Sequence, residues 1–233
     1  MNPATLSTAL GRLFAPGVVA AELREQGDPS LLLSAEATHV GRAVPKRMQE
    51  FAAGRLCARR ALAEFGFVDY ALKVAEDRQP MWPAGMVGSI THTTGFCAAV
   101  VARQRAATAL GIDSEVVGRV NAEIWHKICV PVESAWVESL PAPQRPGAMA
   151  LIFSAKEAFY KCQYPAVRQR LNFHDARVEA PVWGAPGGEF RIHAMRSLAI
   201  AGYAALPLPG RYLFHEGFVT AGLGLSGAAV PVQ

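Results

Sequence analysis

Apolar side chains recur at helical intervals through residues 45–65, from Met48 to Phe65. Pro45 suits the first turn of a helix, and Gly66 suits its exit. The pattern therefore predicts one helix over 45–65, with several arginines on or beside its polar side.

Short apolar runs without helical spacing follow this helix. Val87–Ile90 and Phe96–Ala102 predict two strands, the second of them buried, joined by the polar turn 91–95. Ala107–Ile112 predicts a third strand that runs directly into Asp113.

The following third of the chain is predicted to be mostly helical. Residues 121–140 have a helical pattern that Pro131 is expected to kink or break. The segment 141–147 is rich in proline and indicates a loop, and Ser154–Tyr164 predicts a short helix stopped by Pro165.

From Asp175 onward the chain is rich in glycine and alternates as antiparallel strands and hairpins do. No fixed-period repeat is visible, yet each half offers a helix and several strands. The predicted fold class is α+β. It permits two similar lobes that meet at a hinge over 104–106, one formed by 1–106 and the other by 107–233.

Composition narrows the class of partner. Of 233 residues, 51% are hydrophobic and 18% charged, which fits a folded chain with a substantial core. The formal net charge is +4 and most of the basic residues are arginines, which favours an anionic partner: a nucleotide, an acidic protein, nucleic acid or an anionic membrane. Apolar stretches fall short of the roughly 20 residues of a membrane span, and no signal peptide is recognised. A soluble, cytoplasmic protein is expected.

Cysteine usage gives no indication of a metal site. The four cysteines stand far apart at 57, 97, 129 and 162, without a CxxC pair. Such spacing argues against zinc and favours reduced, mostly buried thiols.

The segment Gly111–Glu115 reads GIDSE and could carry chemistry. Alternate side chains of an extended chain point to the same side, so Asp113 and Glu115 should converge while Ser114 faces away. Two carboxylates at the end of a buried strand suit Mg²⁺. The alternative is an ordinary solvated strand end.

The segment 153–161, FSAKEAFYK, allows two interpretations. Ser154 and Glu157 have the spacing of a capping box, and Glu157 and Lys161 that of an ordinary helical ion pair. In the functional interpretation, Lys156, Glu157 and Lys161 stand near one helix N-terminus, where phosphate is attracted and a third carboxylate could complete a metal site.

Three further basic residues are candidates for phosphate binding. His92, in the predicted turn, could donate to a phosphate or act as a base. Arg47 and Arg55 are eight positions apart, about 12 Å along a helix and roughly 80° around it, and could hold two phosphates of an extended nucleotide. The alternatives are a surface histidine and a solvated basic face.

Together, and in this order, these segments resemble the 4′-phosphopantetheinyl transferases. The likeness is to the large, pseudo-dimeric (surfactin-type) class, and within it to the enterobactin-synthase branch. The matching segments are RMQEFAAGRLCARRAL (47–62), RQPMWPAGMVGSITHT (78–93), GIDSE (111–115) and FSAKEAFYK (153–161).

The resemblance implies two related α+β lobes with pseudo-two-fold symmetry and coenzyme A in the cleft between them. It implies that Asp113, Glu115 and Glu157 bind Mg²⁺, with Mn²⁺ as the alternative ion, and that Glu157 and Lys161 are catalytic. The residues implied to contact coenzyme A are Arg47, Arg55, Arg78, Thr91, His92, Lys156 and Lys161. Two positions depart from the family pattern: Ser114 stands where an aliphatic residue is common, and Gln79 stands where some relatives have a lysine.

The activity that the resemblance implies is transfer of 4′-phosphopantetheine from coenzyme A to a serine of an acyl or peptidyl carrier protein. Adenosine 3′,5′-bisphosphate would be released. The expected partner is an acidic carrier domain, and a monomer is expected because two lobes in one chain can form the cleft. Alternatives are chemistry on another nucleotide diphosphate, a non-catalytic coenzyme A binder, and a nucleic-acid-binding module. The last would need a basic stripe with exposed aromatics, which is not evident.

Overall fold

We describe the protein from a computed structural model, which places residues 3–196 and 207–225. The helices are α1 (Thr8–Gly11), α2 (Ser34–Ala37), α3 (Pro45–Ala63), α4 (Trp125–Ile128), α5 (Pro131–Ser139) and α6 (Arg145–Val167). Single 3₁₀ turns occupy Pro29–Leu31, Ala122–Ile124, Ala142–Gln144 and Phe173–Asp175. The strands are β1 (Thr5–Leu6), β2 (Val18–Leu23), β3 (Met86–Thr93), β4 (Phe96–Arg103), β5 (Ala109–Val116), β6 (Ala176–Glu179), β7 (Gly187–Ala194), β8 (Leu208–His215) and β9 (Phe218–Leu225).

The strands of the described residues form two antiparallel sheets, one for each lobe. The first has the order β1-β2-β4-β3 and the second the order β5-β9-β8-β7-β6. Helix α3 packs on the first sheet and α6 on the second. The predicted α+β fold with two similar lobes is confirmed. The chain passes from one sheet to the other between Arg103 and Ala109.

The first lobe forms much as its sequence pattern predicts. Pro45 occupies the first turn of α3, and the buried side of the helix includes the small residues Ala52, Ala58 and Ala61. The facing strand β4 is buried along its whole apolar run, as predicted. Small side chains on the helix allow its backbone to approach this strand closely, so the lobe is densely packed.

Helix α6 is longer than the sequence predicted. It begins at Arg145, inside the expected loop, and continues past Pro165, which was expected to stop it. Pro131 begins α5 instead of kinking a longer helix, because proline is favoured at the first helical position. Ser154 therefore lies inside α6 and caps nothing; its hydroxyl donates to the carbonyl of Asp113 (2.7 Å).

The lobes meet where β3 lies beside β5. These edge strands are joined by side-chain hydroxyls: the Ile112 amide donates to Ser89 Oγ (3.2 Å) and the Ser114 amide to Thr91 Oγ1 (2.9 Å). Strand β3 also continues through Thr91 and His92, so the turn predicted at 91–95 is shorter than expected and comprises Thr94 and Gly95. Pairing with β4 extends the strand to Thr93.

Among the described residues, no helix is long and apolar enough to span a bilayer.

Candidate active site

Asp113 lies at the junction of the lobes, and its two carboxylate oxygens differ in their surroundings. Oδ1 accepts hydrogen bonds from Lys161 Nζ (2.6 Å) and Thr91 Oγ1 (3.2 Å). Oδ2 is buried and has no hydrogen-bond partner among the residues that the structure places. A buried carboxylate oxygen without a partner is costly, so this atom is suited to receive a donor or a cation.

Glu115 and Glu157 face the same region as Asp113. Burial, followed by the nearby Asp113 charge, raises the pKa of Glu115 to about 7. The same two causes, in the same order, raise the pKa of Glu157. Ser114 contacts a different neighbour, since its hydroxyl lies 2.8 Å from Thr220 Oγ1 of β9. The predicted alternation along β5 is thus observed.

These carboxylates are neighbours without forming a closed coordination shell. Within residues 3–196 and 207–225, no three or more His, Cys, Asp or Glu side chains are close enough to make a formed metal site. The donor set nevertheless fits a hard divalent cation. Its ligands would be carboxylate oxygens, one of them buried and unpartnered, and their mutual repulsion would be relieved by the ion's charge.

Beside the carboxylates lies a cleft of about 590 Å³ that both lobes line. Of the predicted coenzyme A contacts, it includes Arg47, Arg55, Arg78, His92 and Lys161. The structure therefore gathers these five residues, which come from separate parts of the sequence, around one space.

Arg47 and His92 meet at the wall of this cleft. Arg47 Nη1 lies 3.4 Å from His92 Nε2, and each side chain also approaches Glu50 Oε2, at 3.5 and 3.3 Å respectively. Burial lowers the pKa of His92. A neutral imidazole beside a charged guanidinium can donate to an anion without adding a second positive charge.

Arg55 lies on the buried side of α3, contrary to the predicted polar face. Its Nε donates to the Leu72 carbonyl (2.8 Å), and its guanidinium stacks 4.0 Å from the centre of the Phe51 ring. Burial lowers its pKa to about 10, so it stays protonated at neutral pH. Arg55 lines the cleft, but part of its hydrogen-bonding capacity is already committed to the protein.

Thr91 is fully buried and does not line the cleft. Its hydroxyl donates to Asp113 and accepts from the Ser114 amide, so it orients the acidic strand. The prediction that it touches coenzyme A is therefore replaced by a role in holding Asp113.

Lys156 does not face the cleft either, and its predicted phosphate contact is corrected. Lys156 is buried, with 4% of the residue exposed. Its ammonium donates to Glu133 Oε2 (2.7 Å) and to the carbonyls of Ile128 (2.7 Å) and Phe173 (2.9 Å). These contacts use all three donors of the ammonium. The idea of one helix N-terminus holding phosphate is also wrong, because Lys156, Glu157 and Lys161 lie in the middle of α6.

Several cleft residues were not found from the sequence. Tyr160 and Tyr164 stack on each other along α6, with ring centres 5.3 Å apart, and Arg170 adds a cation. Their i,i+4 spacing beside Lys161 was the available signal. Tyr160 also borders a second cavity of about 270 Å³, which Lys156 and Glu157 line as well.

Two family models match this chain. The 4′-phosphopantetheinyl transferase N-terminal domain matches residues 35–102, and the 4′-phosphopantetheinyl transferase superfamily matches residues 109–205. Each model matches one lobe of the chain, and the acidic groups and the basic cleft lie where these lobes meet.

Curated relatives agree over most of the chain. It is 37% identical to 4′-phosphopantetheinyl transferase Svp of Streptomyces mobaraensis, over 87% of this chain and 82% of Svp. It is 32% identical to Npt of Nocardia iowensis, over 87% and 93% respectively. With enterobactin synthase component D of Escherichia coli K12 it shares 37% identity over 54% of this chain and 58% of that protein. The protein belongs to the 4′-phosphopantetheinyl transferases, and it is a transferase that acts on carrier proteins, as the resemblance implied.

Proposed function

We propose that this protein transfers 4′-phosphopantetheine from coenzyme A to a serine hydroxyl of an acyl or peptidyl carrier domain, in an Mg²⁺-dependent reaction. A bond forms between the serine oxygen and the phosphorus that carries the pantetheine arm. The bond from that phosphorus to the oxygen of adenosine 3′,5′-bisphosphate breaks. The serine proton leaves to a base, and the bisphosphate is released.

Asp113, Glu115 and Glu157 would hold the metal. When bound, the ion neutralises negative charge on the diphosphate as the bond to the leaving group breaks. The unpartnered Asp113 Oδ2 and the raised pKa values of both glutamates support this assignment.

The basic residues of the cleft would bind the nucleotide. Lys161 contacts Asp113 directly, so it stands at the junction between the carboxylates and the cleft, where the reacting phosphate would lie. Arg47 and His92 line the wall contributed by the first lobe, and Arg78 and Arg170 supply further cations for phosphate.

Glu157 is the proposed base for the serine proton, acting directly or through a water molecule. Its carboxylate would be ionised beside the cation and could therefore accept the proton.

One observation carries the proposal: in a chain of this family, three carboxylates lie next to a basic cleft large enough for a nucleotide. The test combines purified protein, coenzyme A, Mg²⁺ and a panel of apo carrier domains, followed by intact-protein mass spectrometry. We expect at least one carrier to gain one phosphopantetheine, and EDTA to abolish the gain. Absence of any mass shift, or transfer that EDTA leaves unchanged, would contradict the proposal.

Thermal shift separates the main alternative. Coenzyme A should raise the melting temperature more than ATP or NAD at equal concentration, because a ligand that binds more tightly stabilises the folded state more. A larger shift with ATP or NAD would favour chemistry on another nucleotide.

A further inference from the structure

The first lobe buries an ion pair between Glu36 of α2 and Arg59 of α3. Glu36, which is 0% exposed, accepts from Arg59 Nη1 (2.6 Å), from the Leu33 amide (3.0 Å) and from the Leu72 amide (3.0 Å). Arg59 in turn donates to the Leu31 carbonyl (2.6 Å). One carboxylate thus ties together two helices and a distant strand-like segment.

The second lobe contains the same arrangement. Glu133 of α5 accepts from Lys156 Nζ (2.7 Å), from the Val130 amide (2.8 Å) and from the Val178 amide (2.6 Å). Lys156 also donates to the Ile128 carbonyl (2.7 Å). As in the first lobe, a buried glutamate accepts from a basic side chain and from two backbone amides, and the same basic side chain donates to a backbone carbonyl.

The two ion pairs are internal equivalents. The partners are offset by 97 positions in the sequence, from 36 to 133 and from 59 to 156, and the Leu31 and Ile128 carbonyls have the same offset. A constant offset at three positions indicates that the two lobes repeat one structural unit, while the fourth partners, Leu72 and Val178, are 106 positions apart. The unit has an Arg–Glu pair in one lobe and a Lys–Glu pair in the other.

In the first lobe, this unit anchors one wall of the cleft. The Leu72 amide is held by Glu36, and the Leu72 carbonyl accepts from Arg55 Nε (2.8 Å). The chain then turns back on itself, with the Met81 amide donating to the Lys73 carbonyl (2.9 Å). We define this hairpin as residues 73–81. Its tip places Asp77, Arg78 and Gln79 against the cleft.

The hairpin is also tied to the chain that follows α2. The Val74 amide lies 3.4 Å from His39 Nε2, and both residues line the cleft. Glu36 therefore joins two cleft-lining segments at their base, without touching the cleft itself.

We propose that Glu36 is a positioning residue for coenzyme A binding: through Leu72 it fixes the 73–81 hairpin in the orientation that receives the nucleotide. The proposal rests on the proposed function for the identity of the ligand. Since the proposed catalytic carboxylates belong to the other lobe, loss of Glu36 should weaken binding and leave the chemical step nearly intact.

The test compares Glu36→Gln with Glu133→Gln, the same change in the equivalent pair. Coenzyme A affinity is measured by calorimetry with Mg²⁺ present, and kcat at saturating coenzyme A. Glu36→Gln should weaken coenzyme A about tenfold, the cost of one charge-assisted hydrogen bond, and leave kcat within about threefold. Glu133→Gln should leave the coenzyme A affinity within about twofold, because its network does not reach the hairpin.

Hydrogen exchange gives a readout that does not depend on any ligand. Without coenzyme A, amides of residues 73–81 should exchange about tenfold faster in Glu36→Gln than in the wild type, and no faster in Glu133→Gln. This measurement tests the positioning role even if the protein proves to bind another nucleotide, whereas failure of wild-type coenzyme A binding would count against the proposed function alone.

The second lobe supplies a conservative variant. Lys156 shows that a lysine at the equivalent place reaches both the carboxylate and the carbonyl. Arg59→Lys should therefore retain coenzyme A affinity within about threefold, and Arg59→Met should lose about tenfold.

Three results would overturn the proposal: equal loss of affinity in Glu36→Gln and Glu133→Gln, unchanged exchange of the hairpin in Glu36→Gln, or tenfold weaker binding by a folded Arg59→Lys protein. If Glu36→Gln does not fold, the Arg59→Lys and Arg59→Met comparison decides.

Discussion

Asp113 combines a fixed oxygen with an available one. Lys161 and Thr91 hold Oδ1, so the side chain cannot rotate freely, while Oδ2 is buried and unpartnered among the described residues. Because one oxygen is held in place, the position of the other is also fixed. Such preorganisation favours the binding of a cation at Oδ2. The hydrogen bonds to Oδ1 thus specify where the charge of the carboxylate is presented.

Replacing this charge should abolish most activity without unfolding the protein. In Asp113→Asn the side-chain oxygen can still accept from Thr91, but the negative charge is lost. We expect transfer to a carrier to fall by about 10²-fold or more, the size typical of losing one preorganised electrostatic group. Mass spectrometry of the carrier measures the rate, and circular dichroism checks the fold.

Ser114→Ala is the matched control, since its hydroxyl contacts Thr220 and does not contact the carboxylates. It should retain a rate within about threefold while losing about 1 kcal/mol of stability. Full activity of Asp113→Asn would remove this residue from the proposed metal site.

At the scale of elements, the contact between β5 and α6 brings the acidic groups together. Gly111 makes this contact possible: a Cβ built there would lie 1.9 Å from the Ala158 carbonyl oxygen. Since α6 carries Glu157 and Lys161, the distance between helix and strand sets their approach to Asp113.

A methyl group at Gly111 should therefore push the helix from the strand. We expect Gly111→Ala to lower the free energy of unfolding by about 1–3 kcal/mol, the usual cost of overpacking. Transfer should slow by about 10²-fold, because a displacement of about 1 Å is enough to misalign reacting groups. Urea unfolding and the carrier assay measure the two effects.

Gly11→Ala serves as the comparison, because a Cβ built there would lie at an ordinary 3.8 Å from the Val18 carbonyl oxygen. It should change neither quantity appreciably. Wild-type stability and rate in Gly111→Ala would show that the strand and helix do not need to approach so closely.

At the scale of the whole molecule, one chain supplies both walls of the cleft. Arg47 and His92 come from the first lobe, and Lys161 from the second. A single copy therefore supplies both walls of the proposed site. Its formal net charge of +4 would attract an acidic carrier domain.

This attraction should be visible in the salt dependence of the reaction. At saturating coenzyme A, kcat/KM for an acidic carrier should fall several-fold between about 0.05 and 0.5 M NaCl, because salt screens long-range charge attraction. A carrier variant with neutralised surface acids should show a smaller slope. A rate independent of salt for both carriers would contradict electrostatic steering.

Local periodicity was enough to predict part of this architecture. The helical stripe of α3, the buried run of β4 and the alternation of Asp113 and Glu115 were all readable, because each depends on residues close together in the chain. The glycine-rich strands after Asp175 were recognisable for the same reason. Comparison of whole motifs then identified the family.

Long-range contacts decided the rest. Pro165 and Ser154 looked like helix boundaries, yet packing on β5 keeps α6 continuous through both. The sequence predicted Lys156 to be a phosphate ligand, but in the structure it pairs with the buried Glu133. Arg59 in the first lobe pairs with Glu36 in the same way.

By itself, the sequence determined the helical and extended segments, the supply of acids and bases, and the family, since these follow from neighbouring residues and their order. Only the tertiary structure decided which charged side chains pair with each other inside the lobes and which remain available to a ligand. The reason is physical: a charged side chain that folding removes from water needs a partner of opposite charge, and that partner can lie anywhere in the sequence.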